Sequence, residues 1–327
     1  AKSLNQLANL YHGQNKYNLA EPLYQRALAI LKQSLGLEHV DVAESLNNLA
    51  SLYDSLGKYA QAEPLYQQAL AFCEKNLSAH HMYTAISLHN LAEVYRQQGK
   101  YGQAEQLHRR ALEIREQTLN PDHPHIAKSL NMLAEIYLTQ QKYAESEGLA
   151  LRALGIWEKA VGQEHHYIAL GLDTLARLRY RQGYQAEARL LADRALAIFH
   201  KALGNDSHVA GSLNTLAEIS YAQKEYGETE ALLQQALAIQ EQVLGADHPD
   251  TSRSLYNLAV LCVARGDCQR AEDYLTRSLT IRRQALLPAH PDLIATEQQY
   301  ADLQRKRKER VPLLMLEGAV DSEHAMA

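Results

Sequence analysis

Fifteen histidines in 327 residues, some of them close together as His80-His81, His123-x-His125 and His165-His166, are the side chains with the most conspicuous chemical potential. Neutral imidazoles at close spacing are the commonest protein ligands of a transition-metal ion. Their arrangement argues against that use. His39, His81, His123, His165, His248 and His290 recur at one place in a long period, with Ser207 then His208 at the corresponding place between them. Consecutive copies are separated by a helix, roughly two helix spacings and far beyond the ~2 Å ligand distances of a shared ion. A turn residue ahead of a helix start, often followed by Pro, is the expected role.

The carboxylates read the same way. Glu21, Glu63, Glu105 and Glu272 form another periodic column, so no pair is set for general acid and base work. No Ser-His-Asp order, phosphate loop, G-x-G-x-x-G or H-E-x-x-H motif occurs. Neither a catalytic residue nor a metal or cofactor is expected, and an enzyme or metal-binding reading is a remote third.

Charge and composition narrow the classes further. With 33 basic and 38 acidic residues the net charge is -5, which gives no global field to draw the chain onto nucleic acid or an anionic membrane. The apolar runs are too short for a membrane span, and nothing at Ala1 resembles a signal peptide; the chain starts inside a repeat, as an excised fragment would. Cys73, Cys262 and Cys268 lack paired spacing, so neither a disulfide framework nor a zinc site is expected, and a reducing cytoplasm is the expected compartment. The basic run Arg305, Lys306, Arg307, Lys308 and Arg310 fits a solvated cap helix better than a phosphate site.

The period itself is set by S-L-N-N-L-A-S-L-Y from Ser45, with relatives from Ser3, Ser87, Ser129, Gly171, Ser212 and Ser254. Successive starts differ by 42 residues, once by 41. In the first copy Leu4, Leu7, Ala8 and Tyr11 share one helical face; a polar break at Gly13 to Lys16 follows; then Tyr17, Ala20, Leu23, Tyr24, Ala27, Leu28, Leu31 and Leu35 define a second helix. Small residues at Ala8, Ala20 and Ala27 allow helix axes to approach to roughly 8–10 Å.

The pair L-x-x-L-A-x-x-Y and A-x-x-x-Y-x-x-A-L resembles the tetratricopeptide repeat, lengthened from the usual 34 residues. Y-A-Q-A-E-P-L-Y-Q-Q-A-L from Tyr59 and L-G-A-D-H-P-D from Leu244 are similar to the repeats of kinesin light chains. The fold expected is all-α, a right-handed superhelical solenoid of tetratricopeptide hairpins. Its units are 1–42, 43–84, 85–126, 127–168, 169–209, 210–251 and 252–293, with a capping helix at 294–310 and a tail at 311–327 that is disordered or docked in the groove. Two units depart: Arg179 takes the Tyr column in the fifth, and Cys262 and Cys268 take both Tyr columns in the seventh.

In that family the first helix of each unit lines the concave face. The resemblance implies a stripe through Lys2, Asn5, Asn9 and His12 opposite the packed face, repeated along the chain. One column reads Asn5, Asn47, His89, Asn131, Asp173, Asn214, Tyr256. Asn is a mediocre helix former, but its amide can pair with both N–H and C=O of an extended peptide, or with a neighbouring helix. The peptide-binding residues expected are Asn5, Asn9, Asn47, Ser51, His89, Arg96, Asn131, Glu135, Arg177, Asn214, Tyr221 and Tyr256. Towards the C-terminus the stripe turns aromatic and apolar through Tyr180, Tyr221, Tyr256, Val260 and Val263.

The function expected is a non-catalytic interaction scaffold of the kinesin-light-chain cargo or adaptor type, holding peptide motifs of partner proteins in its groove. A regulatory array within a larger multidomain signalling protein is the alternative. The partners expected are peptides, with no nucleic acid and no membrane, and the apolar tail segment Val311–Leu316 is a candidate to dock into its own or a neighbouring groove, with a disordered tail as the alternative.

Overall fold

A computed structural model of the protein describes residues 1–77 and 80–306; among them are fifteen helices and no strand. The first helices of the successive units are α1 (Lys2–Gly13), α3 (Val40–Ser55), α5 (Met82–Gln97), α7 (Pro124–Thr139), α9 (His166–Arg181), α11 (Ser207–Ala222) and α13 (Pro249–Arg265). Their antiparallel partners are α2 (Tyr17–Leu35), α4 (Tyr59–Asn76), α6 (Tyr101–Thr118), α8 (Tyr143–Val161), α10 (Gln185–Leu203), α12 (Tyr226–Val243) and α14 (Cys268–Ala285). A last helix, α15, spans 291–306. The expected tail at 311–327, with its docking segment Val311–Leu316, lies outside the described residues, as do 307–310 of the expected cap.

The packing follows the small-residue columns. Ala8, Ala50, Ala92, Ala134, Ala176, Ala217 and Ala259, one per unit, are all buried, and so are Ala27, Ala69, Ala111, Ala153, Ala195 and Ala236 of the second helices. With only a methyl group at these crossings the helices close on each other, and Leu, Ile and Tyr fill the spaces between. Each unit packs on the next through its second helix, while first helices also touch first helices along the inner side.

The histidine column is the start signal of the first helices. In His39, His81, His123, His165, His248 and His290 the ring Nδ1 accepts the backbone N–H two residues on, at 3.1–3.2 Å, satisfying one of the donors a helix start leaves open. Between units five and six this cap is Asp206, one residue before the expected Ser207-His208; its Oδ1 accepts from His208 N–H at 2.9 Å.

The glutamate column joins units. Glu21 accepts from the Tyr53 hydroxyl at 3.0 Å, and Glu105 accepts from the Tyr137 hydroxyl at 3.3 Å and from Gln140 at 3.0 Å, each from the second helix of one unit to the first hairpin of the next. In the fifth unit Arg179 replaces Tyr yet keeps the link, donating to Glu147 at 2.6 Å.

Candidate interaction groove

The inner surface is the stripe of first-helix residues, and its asparagine column is largely occupied with the structure itself. Asn5 Oδ1 accepts from Ser45 Oγ at 3.3 Å, Asn47 Nδ2 donates to Ser87 Oγ at 3.3 Å, and Asn214 Nδ2 donates to Ser254 Oγ at 2.8 Å. The partner each time is the serine that opens the next copy of the S-L-N motif. Asp173 keeps the pattern by accepting from Ser212 at 3.0 Å. Asn131 and Asn214 have no exposed surface at all. Asn131 donates to Glu135 at 3.3 Å and leaves its Oδ1 unpaired.

The neighbouring column faces the groove more openly, although two of its members are held from behind. Asn9 is exposed and accepts from the Tyr24 hydroxyl, and Ser51 pairs with that of Tyr66. Further along stand Glu93, Glu135, Arg177 and Glu218, in ion pairs with inner-face neighbours. Arg96 donates through Nε to Glu93 at 3.0 Å, Arg177 lies 3.8 Å from Glu135, and Arg253 donates to Glu218 at 2.7 Å. Burial alone would raise the Glu218 pKa, but Arg253 overrides it and holds the carboxyl below its usual range. Arg96 is lifted further above its usual value because, against its own desolvation, Glu93, Glu135 and Asp250 all lie within electrostatic reach.

His89 differs from the rest of its column. It is buried against His108, ring centroids 5.2 Å apart, with Nδ1 unpaired, and desolvation followed by the charge of Lys128 pushes its pKa well down. At 7% exposure the ring has little surface to offer a peptide.

Two cavities open on the inner face. One of about 240 Å³ is polar, lined by Glu135, Asp173, Arg177, His208, Asp250 and Arg253 among others. The second, about 210 Å³, is lined by Tyr180, Tyr221, Tyr256, Val260, Ala217 and Leu233, with Glu218, Thr229 and Asn257. The expected residues Arg177, Glu135 and Asn214 thus meet in the first, and Tyr221 and Tyr256 in the second; Asn5, Asn9, Asn47, Ser51, His89, Arg96 and Asn131 border neither. The stripe could not supply Thr229 and Leu233, which come from the second helix α12. Their signal was present: Leu233 occupies the column of Tyr24 and Tyr66, and a shorter residue there leaves room that the aromatic rings line.

Among the described residues no three His, Cys, Asp or Glu side chains are arranged to hold a metal ion, and no helix is long and apolar enough to cross a membrane.

A putative kinesin light chain from Podospora anserina with nearly identical repeats is similar to this chain at 28% identity, with 61% of this chain and 94% of that one covered and a TM-score of 0.53. BtubC from P. vanneervenii matches at 21% identity over 68% of this chain and 90% of its own, TM-score 0.51. The apo form of RapI matches at 16% identity over 86% and 97%, TM-score 0.63; these last two speak to the fold alone. A comparison with curated proteins gave no match. The tetratricopeptide repeat profile matches residues 1–75, 83–159, 126–201 and 208–284, and with the helical hairpins, alanine crossings and inner stripe in place, the chain belongs to the tetratricopeptide repeat family.

Proposed function

We propose that the protein is a non-catalytic interaction scaffold of the kinesin-light-chain cargo or adaptor type, which takes a short extended segment of a partner protein along its inner face in the cytoplasm. The observation that carries this reading is the aromatic cavity of Tyr180, Tyr221, Tyr256 and Val260, a concave apolar site bordered by a few polar groups. An apolar side chain of the segment fills it, and polar or charged side chains lie over the ion pairs of Arg177 and Arg253, which stand three residues before Tyr180 and Tyr256 on the same helices. Asn5, Asn9, Asn47, Ser51 and Arg96 extend the path, whereas Asn131, Asn214 and His89 support it from behind the surface. Free cysteines fit the compartment, and the Rap protein of the same fold that was solved with competence and sporulation factor, at a TM-score of 0.54, offers an analogy for ligand capture.

Aromatic anchors in such sites carry about 2 kcal/mol or more. A peptide-array screen followed by titration of the ligands found should therefore show a loss of about thirtyfold in affinity on either Tyr221→Ala or Tyr256→Ala alone. Binding indifferent to both changes would refute the site.

A further inference from the structure

The inner face is reached only through whatever the superhelix leaves open, and the chain closes on itself. At Gly57, in the turn between α3 and α4, an added Cβ would stand 2.2 Å from Pro249 Cδ and 2.6 Å from its Cγ, at the start of α13. At Gly99, in the next turn of the same kind, it would stand 2.9 Å from His290 Cδ2 and 3.4 Å from Pro291 Cδ, at the start of α15. Unit two therefore meets unit seven and unit three meets unit eight, each five units on. One step earlier the same offset brings Asp206, which starts unit six, within electrostatic reach of Tyr17 in unit one.

The contacts are specific. Burial lowers the pKa of both His248 and His290; against it, the His248 ring hydrogen-bonds the main chain of Ser55 and the His290 ring that of Gln97, each in the sense that favours the charged form, so the ring donates. His248 and His290 are 6% and 5% exposed, while His39, His81, His123 and His165 of the same column, with no unit five places before them, stay half-buried. Leu286 packs against the apolar core cluster that runs from Ala8 in unit one to Tyr137 in unit four. The left-handed residue of each hairpin turn is Asn15, Gln141 or Lys224 in three units, so that conformation does not itself require glycine; close approach does at 57 and 99.

We infer that the array is self-latched, with the hairpin turns of units two and three clasping the helix starts of units seven and eight, so that the side wall of the inner channel is continuous and opens only where this seam parts. The inference does not depend on any ligand. An extended segment then enters along the axis or waits for the seam to open.

The test uses the full chain. Gly57→Gln introduces a residue already tolerated in this turn at 141, and Gly183→Gln makes the same change where nothing lies within 4 Å. Amide hydrogen exchange should rise about fivefold or more at both 53–60 and 247–252 in Gly57→Gln, with a larger radius of gyration in solution scattering, and stay unchanged at both in Gly183→Gln. Pro249→Ala removes the two clashing ring atoms, so the double variant Gly57→Gln with Pro249→Ala should return both readouts towards wild type; general unfolding would not be reversed this way. Exchange that rises only at 53–60, or scattering and exchange unaltered in Gly57→Gln, would overturn the latch.

Discussion

The junctions on either side of the fourth unit solve one packing problem in opposite ways. A residue near the end of each second helix faces the first residue of the next S-L-N motif, and the pairs run Leu31 with Ser45, Cys73 with Ser87, Arg115 with Ser129, Trp157 with Gly171, Phe199 with Ser212, Gln240 with Ser254 and Arg282 with Thr296. Where Arg115 meets Ser129, a buried guanidinium donates to the serine hydroxyl and to the His125 carbonyl at 3.2 Å. Where Trp157 meets Gly171, the indole is wholly buried, stacks on Tyr167 at 5.5 Å and donates to the Pro124 carbonyl at 3.2 Å. A Cβ at Gly171 would come within 3.3 Å of Leu154 Cδ1 and 3.5 Å of the indole. The repeat thus holds helix spacing fixed and lets this pair trade volume against polarity. One junction is filled by an aromatic ring and the other by a hydrogen-bonded guanidinium.

Trp157→Ala breaks the contrast most severely. It empties the largest fully buried side chain in the chain beside a glycine that cannot fill the gap, so it should cost about 3–5 kcal/mol, read as a fall in denaturation midpoint at unchanged slope. A loss below about 1 kcal/mol would mean that the neighbouring units slide to close the space.

Acid tests the polar junction. His108 stands in the column of Tyr24 and Tyr66, but both ring nitrogens lack a partner, and desolvation pushes its pKa down to about 4. A depressed histidine is neutral in both states at high pH; as pH falls below the ordinary 6.5 the unfolded chain takes up the proton first, so stability is lost from about pH 6.5 through about pH 4. The limit for this residue is about 3 kcal/mol, from 1.36 kcal/mol per pKa unit. Asp54 works in the other direction, since burial and then Glu93 raise it to about 7, and protonating it below that pH favours the folded state. The contribution of His108 is therefore the difference between wild type and His108→Tyr. Chemical denaturation from pH 7.5 to 4.5 should show a shallower decline in the variant, and parallel curves would remove His108 as the cause.

Much of the fold was legible because its determinants are local and repeated. Alanine at 8, 50 and 92 marks the crossings, and the 42-residue step marks the hairpins. The asparagine column was less so, since an amide beside a groove suits a peptide and a neighbouring serine equally, and only the helix spacing decides that Asn214 is spent on Ser254. Trp157 did leave a trace, because the weak fifth copy of the S-L-N motif begins with Gly171 for lack of room. The seam could not be read at all. It depends on small rotations summed over five units, and glycine at 57 and 99 looks no different from glycine at 183 and 266, which meet nothing.

Arg115 separates charge from volume at the polar junction, and the smallest effect is expected there. It is 3% exposed, its Nε has no partner, and among the described residues no carboxylate lies within ion-pair distance; burial pushes its pKa down to about 10. Two hydrogen bonds to neutral oxygens offset a desolvation cost of several kcal/mol only in part. The first unit already fits Leu31 against Ser45 in this column, so an aliphatic side chain suits the space, and a freed Ser129 hydroxyl can turn to the carbonyl four residues back. Arg115→Leu should then fall within about 1 kcal/mol of wild type on either side, while Arg115→Ala, which also removes the volume, should lose about 2–4 kcal/mol. Equal losses in the two variants would make the guanidinium's hydrogen bonds, rather than its bulk, what joins units three and four.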